Sequence, residues 1–162
     1  MTKKIIAFSF LIFASAQLPA QNKISTEQYI EKYKDLAEAE MLRTGVPAAI
    51  TLAQGILESG SGQSELALHS NNHFGIKCKA EWTGDTYYHD DDERNECFRS
   101  YPTPEDSYRD HSDFLKNRQN YQSLFKLSVT DYKSWAYGLK RAGYATEKNY
   151  PQMLIKVIED NN

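Results

Sequence analysis

Residues 47–58 form an almost wholly apolar segment, and this segment constrains the fold more than any other part of the chain. Pro47 stands at its start, where a proline costs a helix nothing because the first N–H has no intrahelical partner. The apolar positions that follow are Ala48, Ala49, Ile50, Leu52, Ala53, Ile56 and Leu57. A helix that is apolar on most sides is buried on most sides. The sequence therefore predicts a central helix that ends at Glu58-Ser59-Gly60-Ser61-Gly62.

Capping and breaking residues predict further helices around this central one. Ser25-Thr26-Glu27-Gln28 is a capping box, and the helix that it opens is expected to end at Gly45. A short helix is expected at Gln63 to Leu68. Three later helices are predicted to begin at Thr103, at Thr130 and at the segment Asn149–Pro151.

Residues 69–101 have a different character from the helical segments on either side. Glycines, aromatic residues and the acidic run Asp90-Asp91-Asp92-Glu93 indicate short strands joined by a hairpin turn. The expected fold class is therefore mainly α (α+β), with a small β insertion between two sets of helices.

The N-terminus has the pattern of a secretory signal peptide. Lys3 and Lys4 precede the apolar run Ile5 to Phe13, and Ala14-Ser15-Ala16 offers small residues for cleavage. We expect a signal peptide at residues 1–20, one domain at residues 21–162, and a secreted or periplasmic protein. The apolar run is too short to span a bilayer, and no later stretch is long enough either.

Charge excludes one class of partner. Without Lys3 and Lys4, the 19 basic residues fall to 17, against 22 acidic ones, for a net charge of −5. Nucleic-acid binding needs clustered Lys and Arg to contact phosphates, so we expect no nucleic-acid partner. Recognition must instead come from a shaped groove, and we expect a monomer.

The chain has two cysteines, Cys78 and Cys97. Export to an oxidising compartment favours a disulfide between them; two free thiols are the alternative. The nearby His89 and acidic run have no recognised zinc spacing, and no metal or cofactor is expected.

Glu58 is the strongest candidate for chemistry. A carboxyl at the end of a buried helix is partly desolvated, and the negative end of the helix dipole disfavours its charge, so its pKa should rise. A carboxylic acid that stays protonated near neutral pH can protonate a glycosidic leaving oxygen. An ordinary solvated glutamate is the alternative.

A second carboxylate is expected from the hairpin acids, although four adjacent acids also suit a solvated loop. The distance between the two carboxyls would separate an inverting from a retaining mechanism, and the sequence does not give it. Tyrosine and tryptophan stack on sugar rings, and we expect two or three of the following to line a groove: Trp82, Tyr87, Tyr88, Tyr101, Tyr121, Trp135, Tyr144 and Tyr150.

Five blocks of residues resemble glycoside hydrolase family 73, in the family order and over about residues 29–158. Each block is weak alone, and together they are specific. The blocks are Leu52-Ala53-Gln54 with Leu57 to Gly62, Asn71 to Lys77, Trp82-Thr83-Gly84, Phe98 to Tyr101 with Ser107, His111, Phe114 and Leu115, and Gly143 to Thr146 with Tyr150.

The resemblance implies an endo-β-N-acetylglucosaminidase that cuts peptidoglycan glycan strands. It implies a lysozyme-like fold, in which a helical lobe and a small β-hairpin lobe have a groove between them. Glu58 matches the family's general acid, and Tyr144 matches a tyrosine beside it. The implied substrate-binding residues are Asn72, Phe74, Trp82, Tyr121 and Tyr150.

The second family carboxylate has four candidate matches in the hairpin. Counting from Trp82 favours Asp92, with Asp91, Glu93 and Glu96 as alternatives. The family usually has Glu there, so an aspartate is a departure with a shorter side chain. Glu147 likewise stands where the family commonly has Asp.

Three functions fit these residues. The first is hydrolysis of the β-1,4 bond between N-acetylglucosamine and N-acetylmuramic acid, with either a hairpin acid or the substrate's own acetamido group assisting Glu58. The second is a lytic transglycosylase, which would use the same glutamate without water. The third is a non-catalytic glycan-binding module or adhesin.

Overall fold

The computed structural model describes residues 23–161, which fold into helices that surround a central one and carry a small hairpin. Within that range the helices are α1 (Thr26–Thr44), α2 (Ala48–Ser59), α3 (Glu65–Ser70), α4 (Pro104–Asn117), α5 (Tyr132–Arg141) and α6 (Tyr150–Asp160). The strands are β1 (Thr86–His89) and β2 (Glu96–Arg99), and a 3₁₀ segment spans Gln119–Lys126. The predicted mainly helical class is confirmed.

Helix α2 lies between two apolar clusters, as its composition predicts. Ile50 and Ala53 belong to one cluster, which includes Val46, Leu115, Leu124, Trp135, Leu139 and Leu154. Ile56 belongs to the other, which includes Tyr29, Tyr33, Phe74, Ile76 and Tyr108. Burial of one large apolar side chain contributes roughly 1.5–3 kcal/mol, so both clusters fix the position of α2.

The ends of the helices follow local chemistry. Both hydrogen bonds of the capping box between Ser25 and Gln28 are present, and Gly45 ends α1 with φ of 89°. Such a positive φ is readily adopted by glycine. Thr103 caps α4 by accepting a hydrogen bond from the Asp106 N–H.

Some predicted boundaries differ from the structure. Pro47 precedes the first residue of α2, so it caps the helix rather than opening it. The predicted cap at Thr130 is wrong, because the Thr130 hydroxyl pairs with Ser128 and the Asp131 side chain caps α5 instead. The short helix expected at Gln63 to Leu68 lies two residues later, because the Ser64 side chain caps it.

Strands β1 and β2 pair antiparallel, from Thr86 opposite Arg99 to His89 opposite Glu96. The turn that joins them carries the acidic run. A disulfide joins Cys78 to Cys97, as predicted, and the Cys78 N–H donates to the Cys97 carbonyl at 2.8 Å. The segment before β1 is thereby tied to β2, and the hairpin forms one small lobe.

The predicted signal peptide lies outside the described residues. Among residues 23–161 no helix combines the length and the apolar character needed to cross a bilayer.

Candidate active site

A groove of about 480 Å³ runs between the helical part and the hairpin, and Glu58 lies in its wall. Helix α2 contributes Glu58, the hairpin turn contributes Asp91 and Asp92, and the start of α6 contributes Tyr150. The remaining lining residues are Leu57, Phe74 to Lys77, Lys79, Phe114, Tyr144 to Glu147 and Met153. The end of the central helix thus faces the acidic hairpin.

The Glu58 carboxyl is open to the groove but closely surrounded by its walls. Glu58 as a whole is exposed to solvent. Desolvation of its carboxyl by the groove walls nevertheless raises the Glu58 pKa above its usual range. The hydrogen bond that Tyr150 Oη donates to Glu58 Oε1, at 2.9 Å, opposes this rise. The negative charge of Asp91 adds to the rise.

These effects suit a proton donor. Desolvation and a nearby like charge favour the neutral acid before the reaction. After the proton leaves, the Tyr150 hydroxyl can stabilise the new carboxylate. The arrangement therefore favours a glutamate that gives a proton to a bound leaving group.

Lys77 organises the acids of the hairpin. Its ammonium nitrogen lies 3.2 Å from Asp91, 3.1 Å from Asp92 and 2.9 Å from Glu96. Lys77 also holds the pKa of Glu96 below its usual range. The oxygens of these three acids lie within 4.8 Å of one another, as in a cation site, and the lysine supplies the positive charge there.

Asp91 and Asp92 both line the groove, and they differ in their effect on Glu58. The charge of Asp91 acts on the Glu58 pKa. The Asp92 side chain is 85% exposed and contacts Lys77. The choice of Asp92 as second catalytic group stays a prediction. Asp91 is the main alternative for that role, because its charge acts on Glu58.

Three other predicted site residues line the groove. Tyr144 and Tyr150 stack with ring centres 5.8 Å apart, and burial raises the pKa of both hydroxyls. Phe74 stacks on the His111 ring at 4.0 Å. Because these rings pack against one another, the groove wall is firm.

Three predicted binding residues lie elsewhere. Asn72 is 1% exposed, and its amide bonds the backbone of Ile76 and Arg99, which holds the loop before the hairpin in place. Tyr121 is buried in the larger apolar cluster, behind two groove-lining rings: its ring centre lies 5.8 Å from that of Phe114 and 6.3 Å from that of Tyr144.

Trp82 lines a separate cavity of about 410 Å³ beside α4. The Arg99 guanidinium lies 4.6 Å from the centre of its ring. A Cβ on Gly84 would fall 2.4 Å from the same ring. Trp82 is therefore packed within the hairpin lobe.

Sequence reasoning did not identify Lys77, Gln54 or Met153 as site residues. Gln54 had a signal, since it is a polar residue one helical turn before Glu58 in an apolar helix. Its amide nitrogen donates to Tyr150 Oη at 3.1 Å, and its oxygen is 3.1 Å from His111 Nε2.

Comparison with solved structures identifies the fold. The chain superposes on a peptidoglycan hydrolase from Sphingomonas sp. A1 with a TM-score of 0.73 and 30% identity, covering 82% of this chain and 86% of that one. The glycoside hydrolase domain of FlgJ from Salmonella typhimurium gives 0.70 and 27%, covering 85% and 88%. The expected lysozyme-like fold is confirmed.

Comparison with curated proteins points the same way. The chain is 33% identical over 144 residues to peptidoglycan hydrolase FlgJ of Vibrio parahaemolyticus, covering 82% of this chain and 46% of that protein. It is 29% identical to exo-glucosaminidase LytG of Bacillus subtilis, covering 93% and 58%. The chain thus spans about half of the length of these relatives.

A family description also matches most of the chain. Residues 34–162 match the glucosaminidase family, described as mannosyl-glycoprotein endo-β-N-acetylglucosaminidase. This match contains Glu58, the hairpin acids, Tyr144 and Tyr150. With the fold and the relatives in agreement with this match, the chain belongs to the glucosaminidase family of glycoside hydrolases.

Proposed function

We propose that this protein hydrolyses peptidoglycan at the β-1,4 bond between N-acetylglucosamine and N-acetylmuramic acid, with Glu58 as the general acid. One observation carries the proposal. The Glu58 carboxyl lies in the groove wall with a raised pKa, and it has a hydroxyl donor on one side and an acidic hairpin lining the same groove.

In this mechanism Glu58 protonates the oxygen of the scissile bond as that bond lengthens. Tyr150 stabilises the carboxylate that forms, because a hydrogen bond to a charged acceptor is stronger than one to a neutral acceptor. The sugar that is left has oxocarbenium character. A hairpin acid, Asp92 or Asp91, or the acetamido group of the substrate stabilises that charge, and water completes the hydrolysis.

The groove walls suit a sugar chain. Tyr144, Phe74 and Met153 offer apolar surface, and Lys77, Glu147 and the hairpin acids offer hydrogen-bonding groups around it. Sugar rings have apolar faces and polar edges, so a wall of this mixed kind binds them well. Peptidoglycan glycan strands are the proposed partner.

The names of similar proteins support this substrate, since several are called peptidoglycan hydrolase or glucosaminidase. A site of action in the cell wall fits that substrate. We propose that residues 1–20 direct export and that the protein acts as a monomer.

A zymogram with embedded cell walls tests the assignment of Glu58. Wild type should clear the wall, and Glu58→Gln should lose activity by about 100-fold or more, because the amide has no acid proton to give. Glu38→Gln, an exposed substitution on α1, is the matched control. Wall lysis by Glu58→Gln at the wild-type rate would exclude the mechanism.

Mass spectrometry of digested wall tests the bond. Hydrolysis by a glucosaminidase leaves N-acetylglucosamine at the new reducing end. A lytic transglycosylase would instead leave an anhydro-muramic end, lighter by one water. Binding to wall without any new ends in the wild type would identify a glycan-binding module.

A further inference from the structure

Four side chains form a hydrogen-bonded row that leads from the protein interior to the groove. His111 Nε2 lies 3.1 Å from Gln54 Oε1, Gln54 Nε2 donates to Tyr150 Oη at 3.1 Å, and Tyr150 Oη donates to Glu58 Oε1 at 2.9 Å. His111 and Gln54 are 0% exposed, and Tyr150 is 3% exposed. Three of the four therefore have little access to water that could replace these bonds.

The row has a direction. The amide nitrogen of Gln54 can only donate, so Tyr150 must accept there and direct its single proton elsewhere. Glu58 Oε1 is the acceptor that the hydroxyl reaches. If Glu58 instead donated a proton from Oε1 to Tyr150, the buried Tyr150 proton would have no acceptor, which is costly.

His111, at the buried end of the row, determines the direction of these hydrogen bonds. With its proton on Nε2, the ring donates to Gln54 Oε1, which turns the Gln54 amide nitrogen towards Tyr150. With the proton on Nδ1, the amide would turn over and its oxygen would take the Tyr150 proton away from Glu58. His111 Nδ1 has no hydrogen-bond partner within residues 23–161. A buried lone pair without a partner is tolerated better than a buried N–H, so the Nε2 proton is favoured.

Burial also keeps the ring neutral, since it lowers the pKa of His111 to about 3. A neutral imidazole has one donor nitrogen and one acceptor nitrogen. The position of its single proton therefore determines which way the Gln54 amide is oriented.

We propose that His111 and Gln54 are positioning residues that hold the Tyr150 hydroxyl as a donor to Glu58 Oε1 and so place the acid proton on Glu58 Oε2. The inference rests on the proposed role of Glu58 as general acid. It assigns the two carboxyl oxygens different tasks. Oε1 receives the hydrogen bond that stabilises the carboxylate, and Oε2 delivers the proton to the leaving oxygen.

Gln54→Met tests the row, because methionine has a similar volume and cannot donate to Tyr150. The Tyr150 proton then loses its fixed direction and its bond to Glu58 weakens. The expected fall in kcat is about tenfold, the size of one weakened bond to a charged group, with KM unchanged within about twofold. The basic limb of the pH profile of kcat, where activity falls as Glu58 loses its proton, should move to higher pH. The Tyr150 bond lowers the Glu58 pKa, so a weaker bond lets that pKa rise.

Thr51→Val is the matched control. Thr51 is on the same helix and 0% exposed, and its hydroxyl has no hydrogen-bond partner among the described residues. Valine has the same shape, so kcat and the pH profile should stay at wild-type values. His111→Phe, which can keep the stacking on Phe74, should repeat the limb shift of Gln54→Met.

A double variant separates positioning from packing. In a Tyr150→Phe background, Gln54→Met should cause no further limb shift, because Gln54 acts on Glu58 only through that hydroxyl. An unchanged pH limb in folded Gln54→Met, or an added shift in the double variant, would overturn the inference. Full activity of Glu58→Gln would instead overturn the proposed function itself, so the two failures are distinguishable.

Discussion

Arg99 and Asp110 join the hairpin lobe to helix α4 through an ion pair, in which Arg99 Nη1 lies 2.9 Å from both carboxylate oxygens of Asp110. The Arg99 side chain is 9% exposed and that of Asp110 is 23% exposed. Tyr101 adds a hydrogen bond to Asp110 Oδ2 at 2.6 Å. One aspartate on α4 therefore holds two residues at and just after the end of β2.

Asp110→Asn should lower the free energy of unfolding by roughly 2–3 kcal/mol. The variant leaves the largely buried Arg99 with only the more distant carboxylate of Glu81, at 3.9 Å, and breaking one side of a buried pair is costly. Urea unfolding measures the change.

Asp113→Asn is the matched control, since Asp113 is on α4 like Asp110 and forms an exposed ion pair with Arg43 of α1. Exposed pairs contribute about 1 kcal/mol or less. Equal losses in the two variants would show that the Asp110 contacts do not secure the hairpin lobe.

Asp91→Asn should move the basic limb of the pH profile of kcat to lower pH. The charge of Asp91 raises the Glu58 pKa, so its removal lets Glu58 lose its proton at lower pH. Asp92→Asn should leave the limb in place. Rate against pH on a soluble wall fragment measures both variants, and a limb shift for Asp92→Asn alone would reverse the assignment of the two charges.

The same two variants identify the second catalytic acid by rate. The sequence prediction is that Asp92→Asn has the larger loss of kcat at the optimum pH, of about 100-fold or more. If Asp91→Asn has that loss instead, Asp91 is the second carboxylate. Small losses in both would favour assistance by the acetamido group of the substrate.

Removal of the disulfide should destabilise the protein. Cys78 and Cys97 are separated by 19 positions, and a loop of that size corresponds to about 3 kcal/mol in the chain-entropy account. Cys78→Ala with Cys97→Ala should lose that amount in urea unfolding. A reducing agent should give the same loss in wild type and no effect in the double variant.

Stability should fall as the pH falls from 7 to 5, because two buried histidines resist protonation. Burial lowers the pKa of His73 to about 4 and that of His111 to about 3. Unfolded histidines bind protons near pH 6.5, so the unfolded state takes up more protons in this window. Each histidine should remove about 2 kcal/mol of stability between pH 7 and pH 5.

His73→Gln should remove about half of this loss of stability, because His111 remains, as measured by urea unfolding at pH 7 and pH 5. His69→Gln, at an exposed position, is the control and should keep the wild-type slope. The same slope in all three proteins would exclude His73 as a source of the effect.

Local features of the fold could be predicted from the sequence. The capping box at Ser25, the cap at Thr103 and the apolar helix that ends near Glu58 are each set by neighbouring residues. The Thr130 prediction was wrong because Asp131, the next residue, is an equally good cap, and it is the Asp131 side chain that accepts from the Ser134 N–H.

The site was less predictable, because its contacts join distant parts of the chain. Gln54 and His111 are 57 positions apart, and Tyr150 and Glu58 are 92 apart. Asn72 and Trp82 stand in motifs that indicate a groove, and yet both serve the packing of the hairpin lobe. A motif identifies which residues matter, and the tertiary packing decides whether they face the substrate or the interior.

The hydrogen bond between Tyr150 and Glu58 also has a consequence for biosynthesis. A nascent chain carries Glu58 long before the ribosome has added the start of α6, and until that helix docks the carboxyl lacks its hydroxyl donor and one wall of its groove. In the proposed mechanism, hydrolysis therefore requires that α6 has docked against α2.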